Sequence, residues 1–211
     1  MTARGNERKA IYRGDRDRKH FLDLFPVWSE RFRLRLHAYV LMDNHYHLLL
    51  ETNEANLSRA MQWLNVSFTV WFNRRHRRVG HLLQGRFKAI IVEPETWALS
   101  LSRYLHLNPV AIQRLGLDKA AKKARKQGLG ECASQEVIQA RLELLRSYPW
   151  SSYRAFAGHE KPPAWLDCDS VLALGGGMAK ERRRLYRQDC EAAVSDEEPD
   201  RPWEGVVGGL A

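Results

Sequence analysis

The stretch that most constrains the fold is residues 33–52, RLRLHAYVLMDNHYHLLLET. Leu34, Leu36, Ala38, Val40 and Met42 recur with period two, which predicts a strand with those residues on one face. Asp43 and Asn44 both tolerate positive φ and suit a two-residue turn. Residues 45–51 then form the returning strand of an antiparallel hairpin. In a strand, residues two apart point the same way, so His45 and His47 project together and Tyr46 points to the opposite face. Imidazoles beside Leu48, Leu49 and Leu50 need partners if they are buried. At this point three readings stand: a shared divalent cation, phosphate bound by cationic rings, or hydrogen bonds within the core.

The flanking segments fit an α+β arrangement. Residues 16–32 read as an amphipathic helix with Phe21, Leu22, Leu24, Phe25 and Trp28 on its apolar side and a kink at Pro26. Asn56 is a good N-cap for a long helix with apolar residues at 57, 60, 61, 64, 68, 71 and 72, ending in the basic run 74–78 before Gly80. Residues 85–93 read as a β-branched strand, and Glu95 to Asn108 as a helix stopped by Pro109. A basic connector covers 118–130, and a short helix follows within 118–147. An aromatic turn, YPWSSYRAF, and a basic helix over 178–193 come next, and 195–211 is expected to be a disordered tail. Helix, hairpin, helix, strand and helix lack one leading strand for a βαββαβ sheet. Only residues 2–6, TARGN, are available for it.

Charge limits the partners. Lys and Arg number 34 against 25 Asp and Glu, a net charge of +9. The excess is clustered in RRHRR (74–78), KAAKKARK (119–126) and KERRR (180–184), which favours nucleic acid over a merely solvated surface. Cys132, Cys168 and Cys190 are scattered, so neither a disulfide framework nor a structural zinc site is expected. No apolar run reaches the ~20 residues of a membrane span. The charged N-terminus lacks a signal core, which predicts a cytoplasmic, nucleoid-associated protein.

Within SLSRYLHLNPV, Tyr104 and Asn108 lie one helical turn apart on the same face. A tyrosine hydroxyl is a potential nucleophile, and an asparagine carbonyl is an oxygen ligand that magnesium and manganese accept. Alone, each also reads as an ordinary core residue or helix C-cap. Four blocks, HAYVLMDNHYHLLLET, NLSRAMQWLNVSFTVWFNRRHRRVGHLLQGRFKAIIVE, LSRYLHLNPV and YPWSSYRAFAG, occur in that order. Together they resemble the REP-associated tyrosine transposases, single-tyrosine HUH endonucleases related to the small IS200-like transposases. The likeness is dense over 2–117 and 148–158 and loose over 159–193. Asp43 stands where the family often has proline.

The resemblance implies a ferredoxin-like antiparallel sheet with helices on one face, a truncated first strand and a basic helical C-terminal extension. The corresponding division is 1–117 for the HUH domain, 118–147 for the connector and short helix, 148–194 for the aromatic turn and basic helix, and 195–211 for the tail. It makes His45, His47 and Asn108 ligands of a divalent metal, Mg²⁺ or Mn²⁺, and Tyr104 the nucleophile. It implies cleavage and joining of single-stranded DNA beside a palindromic hairpin, through a 5′-phosphotyrosine, by a protein expected to be monomeric, with a dimer as the other form. Arg74, Arg75, Arg77, Arg78, Arg86 and Lys88 are the expected phosphate contacts. The connector and the KERRR helix are candidates to hold the hairpin stem. Phe87, Trp97 or Trp150 could stack unpaired bases, although large aromatics more often pack inside. His76, His81 and His106 are not expected to be ligands. Two other readings remain at this stage. A domesticated hairpin-binding protein would have lost catalysis, and a metal-dependent hydrolase would use water and leave Tyr104 and Asn108 unexplained. The short N-terminus predicts either a start about ten or more residues upstream or a less stable chain, because a missing central strand leaves backbone groups unpaired.

Overall fold

A computed structural model describes residues 1–111, 115, 133–195 and 209–210. The chain divides into two compact units. The first comprises Met1–Val92, Pro163–Asp167 and Val207–Ala211. The second comprises Glu93–Pro162 and Cys168–Val206.

In the first unit, a three-stranded antiparallel sheet is built from β1 (Thr2–Arg4), β2 (Leu34–Leu41) and β3 (His45–Thr52), in the order β1-β3-β2. The missing leading strand is therefore present, though short. Thr2, Ala3 and Arg4 pair with His47, Tyr46 and His45. The Met1 backbone exchanges both its bonds with Leu48 at 3.0 Å. On its other side β1 exchanges bonds with Lys88 through Thr2, both at 2.8 Å, while Arg4 accepts from Gln84 and Asn6 donates to Leu82. The expectation of unpaired backbone rows is corrected to this extent: β1 is held on both sides, and covers β3 from His45 to Leu48.

The segment 85–93 departs from a plain strand. Regular pairing is confined to β4 (Ala89–Ile90), which pairs with β5 (Gly209–Leu210). Between the bonds at Gln84 and Lys88 the chain bulges outward, with Gly85 at φ 63°, a left-handed conformation that suits glycine. The predicted single helix over 16–32 is two, α1 (Asp15–Asp23) and α2 (Phe25–Phe32), with Pro26 in the first turn of the second. Proline has no N–H to give an interior turn, so the break falls just before it. Next, α3 (Leu57–Arg75) runs as predicted, but Asn56 does not cap it through its side chain. Its amide instead donates to the Phe32 carbonyl at 3.0 Å, tying the end of α2 to the start of α3.

The alternation along β2 is interrupted once. Leu36 faces Leu50 and Ala38 faces Leu49, so His37 is an extra residue in a β-bulge. Beyond it the faces exchange. Tyr39 and Leu41 join Leu48 and Tyr46 on the core side, while Ala38 and Val40 share the side of Leu49 and His47. The single-face assignment of Leu34, Leu36, Ala38 and Val40 is thereby corrected. Sequence periodicity gave no sign of the bulge, because both faces of β2 are buried. His37 is held by Glu51 Oε2 at 3.3 Å and the Asp167 carbonyl at 3.2 Å. The Asp167 N–H donates to Leu36, beside a parallel bridge from Leu36 to Leu166.

The helical face of the sheet is an aromatic core. Phe21 packs edge-on to Phe25 and Phe68, and its ring lies 4.9 Å from that of Tyr46. Trp28 is fully buried and donates Nε1–H to the Ala60 carbonyl at 2.9 Å.

The second unit is helical among its described residues: α4 (Pro94–Leu107), α5 (Gln135–Ser147), α6 (Tyr153–Phe156), α7 (Cys168–Leu174) and α8 (Arg182–Ser195). The sequence reading did not anticipate α7, a short helix in which only Cys168, Val171 and Leu172 are buried. Arg141 is buried and donates to the carbonyls of Leu115 and Val194. Cys168 and Cys190 are buried thiols inside this unit, neither in a disulfide. The basic connector and Cys132 lie outside the described residues, as does the tail apart from Ser195 and β5. Among the described residues no helix is long and apolar enough to cross a membrane.

Candidate active site

The histidines open β3, directly after the turn. Met42 N–H to the His45 carbonyl, at 2.8 Å, closes a hairpin with Asp43 and Asn44 at its tip. That tip is fastened from the N-terminal loop. Ile11 donates to the Asp43 carbonyl and Gly5 to the Asn44 carbonyl, and the Arg18 guanidinium pairs with the Asp43 carboxylate. Asn44 Nδ2 donates to the Arg8 carbonyl at 2.9 Å. This fixes the amide's orientation and turns Oδ1 to His45 Nδ1, 2.7 Å away. An amide oxygen can only accept, so the His45 Nδ1 carries the proton and Nε2 keeps its lone pair. The sequence singled out Asn44 only as a turn residue; its place immediately before the first histidine was the available signal for a role in the site.

The two rings lie nearly perpendicular, with centroids 5.0 Å apart. Burial lowers the His45 pKa to about 4, assisted by the charge of Arg4. Burial likewise lowers that of His47 to about 3, with His45, the terminal amino group and Arg4 adding to it. Both rings are neutral at pH 7, the form that ligates metal. This disfavours the reading in which they bind phosphate as cations. Tyr46 points the other way, is fully buried and donates to Asn65 Oδ1 at 2.6 Å. The donor chemistry thus fits a divalent cation: two neutral imidazoles, one of them oriented by an outer partner. Among the described residues no three His, Cys, Asp or Glu side chains group as a metal site.

Tyr104 and Asn108 belong to the second unit, and the structure brings these two together on α4. Asn108 is the C-cap, as its alternative reading held, and its Nδ2 donates to the Tyr104 carbonyl at 2.8 Å. The bond clips the amide nitrogen to the helix and leaves Oδ1, the atom an amide can offer a cation, outside that bond. His106 faces the interior of this unit. Its Nδ1 lies 2.7 Å from the Tyr186 hydroxyl and its Nε2 2.7 Å from Ser152 Oγ. With both nitrogens bonded and its pKa lowered to about 3 by burial, it is a core residue.

The six expected phosphate contacts are not alike. Arg75 donates to Asp17 at 3.2 Å, and His76 bonds the same buried carboxylate at 2.9 Å. Arg78 donates to Asn73 Oδ1 and to the His81 carbonyl. Arg74, Arg77, Arg86 and Lys88 are exposed, Arg86 within the outward bulge. In the KERRR run, Arg183 is paired with Asp169, and Arg184 with Glu181. Phe87, Trp97 and Trp150 are each partly exposed.

A sequence model of the family described as "Transposase IS200 like" matches residues 1–108. The chain belongs to this family. The match includes both histidines and ends on Asn108, so all four proposed site residues fall inside it. An IS200-like transposase acts on DNA, which accounts for the basic excess. No curated protein and no solved structure gives a match.

Proposed function

We propose that this IS200-like transposase nicks and rejoins single-stranded DNA beside a REP-like palindromic hairpin, with Tyr104 as nucleophile and a divalent cation, Mg²⁺ or Mn²⁺, held by His45, His47 and Asn108. The observation that carries the reading is the pair of neutral imidazoles on one strand face, the first oriented by Asn44.

The Tyr104 oxygen attacks the phosphorus of the scissile phosphodiester. The P–O3′ bond breaks, the upstream strand leaves with a free 3′-hydroxyl, and the downstream strand stays on Tyr104 as a 5′-phosphotyrosine. The phenol proton passes to water, and the departing 3′-oxygen takes one up. A second 3′-hydroxyl reverses the step, so joining needs no nucleotide triphosphate. A bound cation would supply Lewis-acid stabilisation of the phosphate. His45 and His47 hold their place as neutral donors, and the exposed Arg74, Arg77, Arg86 and Lys88 contact the DNA backbone. The proposed active form is a monomer, with a dimer as the other form.

The test is incubation with labelled hairpin single-stranded DNA and Mn²⁺, followed by a denaturing gel. A covalent protein–DNA band is expected, and it disappears in Tyr104→Phe. Cleavage without an adduct would identify a hydrolase. Binding without cleavage would identify a domesticated hairpin-binding protein.

A further inference from the structure

Within the first unit, α1 and α3 present a second cationic surface. Helical spacing places Arg16, Lys19, His20 and Asp23 on one stripe of α1, and Trp71, Arg74 and Arg75 on one stripe of α3. The stripes line two adjoining shallow hollows that share Arg16 and Trp71. Trp71 stacks on His20 with centroids 3.9 Å apart and planes 15° from parallel. Phe68, a buried core residue, lies nearly parallel to it at 6.2 Å, and the Arg75 guanidinium sits 5.6 Å from its ring centre.

The charges here are unequal. Arg75 is committed to Asp17, and Asp23 contributes one carboxylate at the rim. Arg16, Lys19 and Arg74 are exposed, and their side chains have no hydrogen bond or ion pair among the described residues. Three unpaired cations around a half-exposed aromatic stack form the combination by which single strands are held: phosphates to the charges, a base to the ring. Burial lowers the His20 pKa, with Asp23 and Asp17 acting against it.

We infer that this surface is a further DNA contact continuous with the first through Arg74, in which Arg16 and Lys19, with Arg74 at the junction, hold the phosphates of an unpaired strand and the Trp71–His20 stack receives one of its bases. The inference rests on the family assignment only for its partner, DNA.

The probe is a 30-nucleotide oligothymidylate, with binding measured from 50 to 200 mM salt. Arg16→Gln/Lys19→Gln is expected to weaken binding about tenfold and to reduce the salt slope by about 1.4, at ~0.7 per lost single-strand contact. Both residues are exposed, so the thermal midpoint should hold. Independently, wild-type protein bound to the same strand carrying 5-iododeoxyuridine should photocrosslink at Trp71 or His20. Unchanged affinity and slope, crosslinks confined to other residues, or an equal loss on a 30-base-pair duplex would each overturn the inference. Binding is read without cleavage, so a failure here leaves the Tyr104 proposal standing. A chain that formed no adduct would leave this one standing in turn.

Discussion

Asn44 sits where two demands meet. Its amide is fixed by the Arg8 carbonyl and in turn fixes the His45 tautomer. In Asn44→Ala the ring is free to turn and to move its proton. Metal affinity should fall about 10- to 100-fold, the usual cost of losing an outer partner, as read by isothermal titration with Mn²⁺; unchanged affinity would exclude the orienting role. His106 allows a prediction about acidity. Its folded pKa, about 3, lies below the unfolded value of ~6.5. Between those two values the unfolded chain binds the extra proton, so stability declines as pH falls through that window. The contribution is at most ~1.4 kcal/mol per pH unit. Urea unfolding of His106→Gln between pH 6.5 and 4 should show a shallower decline than wild type, by up to that amount. Equal slopes would mean that His106 does not titrate as its burial implies.

Among the elements, β1 depends on its turn. Gly5 follows it, and a Cβ there would lie 2.1 Å from the Lys9 carbonyl oxygen and 2.9 Å from Ile11 Cγ2. Both neighbours are held by the loop that also pins the Asp43–Asn44 tip. Gly5→Ala should therefore cost about 1–3 kcal/mol, the range for overpacking, read as a lower urea midpoint; a variant as stable as wild type would show that the loop gives way freely. How far the elements were legible follows from the same physics. The hairpin, the break near Pro26 and the helix ending at Asn108 could be read because local preferences set them; the tip was placed correctly, but neither Asp43 nor Asn44 takes the positive φ expected of it. The bulge at His37 could not, because alternation is uninformative in a strand buried on both faces. Nor could the pairing of β1, since three residues carry no periodicity and depend on backbone bonds to chain more than 40 residues away. Of the proposed site residues, the types and spacing could be read. That Arg75 and Arg78 are committed within the protein was not apparent, since their partners, Asp17 and the loop 73–81, are set by tertiary packing.

For the molecule as a whole, the net charge of +9 predicts salt-sensitive association with DNA. If Arg74, Arg77, Arg86 and Lys88 each neutralise one phosphate of a single strand, these four alone contribute about −3 to the salt slope, roughly a 50-fold fall in affinity between 50 and 200 mM salt. A slope near zero for wild-type protein would mean that these cations do not meet phosphate. The alternation along β3 also bears on descent. Tyr46 and Leu48 face the aromatic core, so a change there is felt by every copy of the chain as it folds. His45 and His47 face away from that core, so a change there leaves the aromatic packing in place. If these histidines hold the proposed cation, one substitution at an odd position would silence the enzyme and leave the scaffold that meets DNA in place. On that proposal, chemistry and folding are written on opposite faces of one strand.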